Sequence, residues 1–154
     1  MKTFWLLSAV LAVVGGCGSP TEPQPFRSAP DVLVVAGLPV SVKVQLFRDF
    51  MPTVPPEGRP LGGAVHLRVP GREDFPSIVR DAYLWVLNGD QVWFEVLRRQ
   101  DDVSSPPDQV HFIPRDGGPR WGPEVFVDVV VGVRDERGRL SLGITRHVLI
   151  RRIA

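Results

Sequence analysis

The sequence predicts an all-β fold: an antiparallel β-sandwich of about seven to eight short strands, with a small β-barrel as the alternative closure. Three observations carry that expectation. The chain holds 15 glycines and 16 prolines in 154 residues, well above the roughly 12% that the two contribute to ordinary proteins, so turns are frequent and long helices are not expected. Apolar residues recur at every second position in several short runs, the period of a strand with one buried and one wet face. Two Gly-containing turn sequences, Asn88-Gly89 and Asp135-Glu136-Arg137-Gly138, lie between such runs, where hairpin turns belong.

The elements follow in order. Asp31 to Ala36 is a short apolar run. Val40 to Phe47 alternates, with Val40, Val42, Val44 and Leu46 opposite Ser41, Lys43 and Gln45. Val65, Leu67 and Val69 alternate in the same way with His66 and Arg68. Ala82 to Leu97 reads as a hairpin about a type I′ Asn88-Gly89 turn, which pairs Leu87 with Asp90 and Trp85 with Val92. Tyr83, Trp85, Val92, Phe94 and Val96 then share a face, assigned to the core, and Leu84 and Trp93 face outward. Val110 to Ile113 is a further short strand. Val125, Val127, Val129, Val131 and Val133 alternate towards a type I turn closed by Gly138, and Leu140 to Ile153 returns. That register sets Asp128 opposite Arg146, and Gly132 and Gly143 mark expected bulges. The best helical candidate is a single turn around Ser77 to Arg80. A domain over 31–154, about 120 residues, is large enough to bury a core without disulfides.

The N-terminus carries an address. Met1-Lys2-Thr3 supplies one positive charge, and an eleven-residue run from Phe4 to Val14 is apolar or small apart from Ser8. A bilayer span needs about twenty residues, so this run fits the h-region of a secretory signal. The one cysteine of the chain, Cys17, directly follows Val14-Gly15-Gly16. This arrangement resembles the lipobox of bacterial lipoproteins: an aliphatic residue, two small residues, then cysteine. The resemblance implies that residues 1–16 are a signal peptide, that Cys17 is lipidated, and that the protein is a membrane-anchored lipoprotein of the cell envelope. One acyl chain binds a membrane marginally and two hold it firmly. Gly18 rather than Asp follows the cysteine, which in the lipoprotein pattern favours the outer membrane or cell surface over the inner membrane. Residues 17–30 contain Pro20, Pro23, Pro25 and Pro30 and read as a plain extended tether of up to roughly 40 Å, although Phe26 is apolar enough to dock on the domain.

A second resemblance lies within the domain. Val42-x-Val44-x-Leu46-x-x-Asp49, then Gly58-Arg59-Pro60-Leu61, then Ala64-Val65-His66-Leu67 is similar to bacterial immunoglobulin-like domains of the invasin and adhesin type. There an alternating strand leads through Asp and Gly-x-Pro to a second one. It implies an immunoglobulin-like sandwich and leaves function open, since that architecture hosts many roles.

Chemistry is sparse in the sequence. A formal net charge of +1, with no basic stripe among aromatics, speaks against nucleic acid as a partner. His66, His111 and His147 have no second ligand at helical or hairpin spacing, and no metal site or cofactor is expected. The Gly-x-Ser-x-Gly elbow of serine hydrolases is missing, and Gly62-Gly63 and Gly117-Gly118 read as turns rather than phosphate loops. Asp101-Asp102 and Glu73-Asp74 lack the spaced pattern of a calcium loop. The chain is therefore read as non-catalytic. Candidate binding surfaces are Leu84 with Trp93, the Pro-rich loop carrying Phe50 and Met51, and Trp121 in a Gly/Pro-rich loop. The expected role is a lipid-anchored binding or scaffolding module. Its partners are the membrane through Cys17 and an envelope protein or glycan, as a polysaccharide-binding surface module or as an accessory subunit of an envelope complex.

Overall fold

The computed structural model describes residues 26–101 and 104–154; Val14, Gly15, Gly16 and Cys17 lie outside them. The described chain forms strands β1 (Leu33–Val35), β2 (Leu38–Asp49), β3 (Gly62–Arg68), β4 (Asp81–Asn88), β5 (Gln91–Gln100), β6 (Gln109–Pro114), β7 (Phe126–Arg134) and β8 (Leu140–Ile153). Each falls where alternation places it. Around Ser77 the expected helical turn is replaced by a tight reversal, in which the Ile78 N–H donates to the Pro76 carbonyl.

The sheet runs β2-β3-β6-β5-β4-β7-β8 and returns to β2 through a parallel β2–β8 pairing. It is a closed seven-stranded barrel, the alternative closure and not the two-sheet sandwich. Alternation is blind to this difference, because both architectures bury one face of every strand. Closure rests on Leu46–Asp49 pairing with Ile150–Ile153. Before Leu46 that pairing stops, and β1, which pairs with β2 from Leu38 to Val40, lies along the seam. Leu33 packs onto Gly143 of β8, where a Cβ would come within 2.8 Å of it. Leu33 and Val35 are fully buried as a result, and burial of such side chains stabilises by on the order of 1.5–3 kcal/mol each.

The interior holds medium-sized aliphatics: Val65 and Leu67 of β3, Leu84 and Val86 of β4, and Val127, Val129, Val131 and Val133 of β7, joined by Trp93 and Phe112. A barrel of this strand number is only wide enough for its side chains to fill. One end is closed by residues 50–61 and 115–125, which Arg48 ties together. Arg48 is buried, and its guanidinium donates to the carbonyls of Arg59, Glu57 and Gly122. Gly118 in the second loop comes so close to the Trp93 ring that a Cβ would lie 2.6 Å from it.

Candidate functional site

The hairpin β4–β5 decides which aromatics are available outside. Leu87 pairs with Val92 and Asn88 with Gln91, so the turn is centred on Gly89-Asp90. Gly89 has φ +57° and Asp90 is not among the residues with positive φ, which fits a type II′ turn and not the expected type I′. The other primed turn is Ala36-Gly37, where both φ values are positive (49° and 79°). The shift moves the pairing but leaves the same residues sharing each face. What reverses is the assignment of faces. Leu84 (1% exposed) and Trp93 (9%) point into the barrel, so the binding surface expected of that pair does not exist. Tyr83, Trp85 and Phe94 stand on the outer wall instead.

These three rings form a cluster. Trp85 and Phe94 are register partners with centroids 5.1 Å apart. Tyr83 lies 6.1 Å from Trp85 and 6.3 Å from Phe94, almost parallel to the latter at 19°. The Arg134 guanidinium sits over Tyr83, 5.8 Å from its centroid. Trp85 lies flat because its cross-strand neighbourhood includes Gly132, whose Cβ would come within 2.7 Å of the indole. That close approach, and not a bulge, is what Gly132 provides. The bulge of the β7–β8 ladder falls between Val127 and Val129, opposite His147, which has φ +56° and donates its N–H to Asp128 Oδ1 at 3.1 Å. The expected Asp128–Arg146 pairing is present at 3.9 Å.

Half of this wall is covered by the segment that precedes β1. Phe26 stacks on Trp85, with centroids 4.9 Å apart at 24°, and Ala29 is buried with Leu87, Val130 and Ile144 in a second apolar cluster outside the barrel. Arg27 bonds to the Gly89 carbonyl (2.6 Å) and Asp128 (3.3 Å), and the Ile144 N–H donates to the Pro30 carbonyl (2.9 Å). The end of the predicted spacer is thus a strap fastened to β4, β7 and β8. It leaves Phe94, 47% exposed, beyond its reach.

The remaining expected surface residues share one end of the barrel. Phe50 is half-buried between the Arg48 and Arg152 guanidinium groups, 5.0 and 4.3 Å from its centroid. Trp121 packs against the core, and Met51 is exposed. Beside them opens a depression of about 490 Å³, lined among others by Phe47, Asp49, Arg59, Leu61 and Pro114. Asp49 is engaged there by Arg59 (3.6 Å) and by the Met51 N–H (2.9 Å), and the lining contains no serine, cysteine or histidine.

Around the barrel from the aromatic cluster the outer wall is polar. Lys43, His66 and His111 form a cross-strand row on β2, β3 and β6, a neighbourhood that sequence spacing could not show. The His66 and His111 rings stack with centroids 4.2 Å apart. Burial, the facing His111 and Lys43 together hold His66 below the ordinary histidine range. Among the described residues, no group of three or more His, Cys, Asp or Glu side chains is placed to hold a metal ion. No known protein family, curated protein or solved structure matches this chain.

Proposed function

We propose that the chain is a lipid-anchored protein of the outer membrane or cell surface. In this reading its barrel is a non-catalytic binding module that docks a protein partner through Tyr83, Trp85 and Phe94. The observation that carries this is the half-exposed Phe94 ring in an aromatic cluster flanked by Arg134, on a wall that the chain's own strap covers only in part. Rigid aromatic rings and arginine are the side chains that protein interfaces concentrate at their energetic centres. Closure of the barrel also removes most free strand edges, which favours recognition by side chains over strand addition.

A photoreactive amino acid at position 94, compared with one at position 45 on the polar wall, tests the reading in native envelopes. A defined crosslinked protein from position 94 alone, lost with Trp85→Ala, is expected. Equal crosslinking from both positions overturns docking through this face, and recovery of glycan alone replaces the protein partner with a polysaccharide. The anchor has a separate test: Cys17→Ser abolishes incorporation of labelled fatty acid and releases the protein from membranes. Unchanged labelling removes the lipoprotein half of the proposal.

A further inference from the structure

On the polar wall, His66 and His111 are register partners on adjacent antiparallel strands. Each is anchored by buried neighbours on both sides, Val65 and Leu67 for His66 and Val110 and Phe112 for His111. The two backbones are therefore fixed by the core, and the imidazoles meet outside it at 14° to parallel. His111 Nε2 is buried and has no hydrogen-bond partner among the described residues. A buried polar atom of this kind calls for an explanation, because nearly all such atoms in folded proteins are satisfied.

We propose that His66 and His111 form a two-histidine binding site for a borderline divalent transition metal ion, Zn²⁺ or Cu²⁺, with water completing its coordination. Imidazole nitrogen binds such ions at about 2.0–2.1 Å. With centroids 4.2 Å apart, the rings can share one ion once side-chain rotation opens the stack and turns one in-plane nitrogen lone pair of each towards it. Ligation takes the neutral imidazole. Hard cations are disfavoured, since they require oxygen donors. Two carboxylates adjacent in sequence to this wall's strands, Asp101 and Asp108, are bonded to Arg99 and Arg68. Lys43, the register partner of His66 on its other side, opposes any cation, so the affinity is moderate.

Titration of the untagged, chelator-treated chain with ZnCl₂ or CuCl₂ alone, followed by calorimetry, tests the site. One ion per chain is expected, with affinity falling more than about tenfold in both His66→Gln and His111→Gln and unchanged in His147→Gln. Ring resonances followed by NMR in the unsubstituted chain give a readout that does not depend on whether the variants fold. Zn²⁺ shifts the His66 and His111 signals and leaves His147 in place. The site is overturned if no stoichiometric binding occurs, if the double variant binds as well as the parent, or if the shifts fall on His147.

Discussion

The two walls of this barrel share an interior and differ outside. On β2, β3 and β6 the outward positions include Ser41, Lys43, Gln45, His66, Arg68, Gln109 and His111, with Phe47, Ala64 and Ile113 towards one end, and the strands show the expected alternation of buried and wet. On β4, β7 and β8 the outward positions include Tyr83, Trp85, Leu87, Val130, Gly132, Leu142 and Ile144, and five consecutive residues of β7, from Val129 to Val133, are buried. Closing the sheet satisfies the core once, from the inside. The apolar outer wall is therefore surplus to the barrel, and the strap from Phe26 to Pro30 is the chain's partial cover for it. A surface that a fold covers with its own terminus on one side and leaves open at Phe94 on the other is where a partner has something to gain.

Truncating the aromatic wall is the strongest way to break this contrast. Trp85 touches Phe26, Tyr83 and Phe94 and lies over Gly132. Trp85→Ala is expected to destabilise the fold by about 2–4 kcal/mol, somewhat below a fully buried tryptophan because the ring is only partly buried. Gln45→Ala, at an outward position of the polar wall, is expected within about 0.5 kcal/mol of the parent. Urea unfolding of the two variants reads the difference. Equal midpoints would mean that the outer cluster adds nothing to stability.

The strands were legible because each buries at least its inner face, and period two writes that into the sequence. The Asp135 turn was legible for the same kind of local reason: Gly138 takes φ +80° and donates to the Asp135 carbonyl at 2.9 Å. Closure was not, because the parallel β2–β8 contact joins residues about 100 positions apart and leaves no mark on either strand's pattern. The face of β4–β5 was misread because its aromatic content does not single out one side. Aromatic bulk suggests a core, yet both faces of this hairpin carry aromatics: Trp93 turns inward with Leu84 and Val86, while Tyr83, Trp85 and Phe94 pack on one another outside. Gly132 was visible as an oddity in a valine run, and its meaning appears only once Trp85 is placed over it. The histidine stack had no local signal at all, since His66 and His111 meet only through the β3–β6 register.

A milder change isolates the strap. Phe26→Ala removes the ring stacked on Trp85 without altering the barrel itself, and a cost of about 1 kcal/mol is expected for a half-buried aromatic pair. The more telling readout is exposure. Binding of a hydrophobic dye should increase, and protection of the Ile144 amide, whose N–H donates to Pro30, should fall while amides of β3 and β6 stay protected. Loss of protection spread evenly around the barrel would show that the strap belongs to the core and not to one wall.

The smallest effect distinguishes the two walls by pH, in chelator-treated buffer. Asp135, at the β7–β8 turn, accepts the N–H groups of Arg139 and Arg137 on Oδ1, each at 2.9 Å. The Arg139 bond first of all lowers its pKa, against the opposing effect of burial. A carboxyl depressed in the folded state stabilises above its unfolded value of about 3.9, and that contribution is lost as the pH falls from there towards the folded value. His66 is also depressed, by burial first, then by His111 and Lys43. The unfolded chain therefore binds its proton more readily, and stability begins to fall as the pH drops through about 6.5. The polar wall thus responds to mild acid and the β7–β8 turn to strong acid. Urea midpoints measured from pH 7 to pH 3 should show two steps of decline, the first flattened in His66→Asn and the second reduced in Asp135→Asn. A first step that survives His66→Asn would assign mild-acid sensitivity elsewhere and leave the histidine stack without an energetic signature.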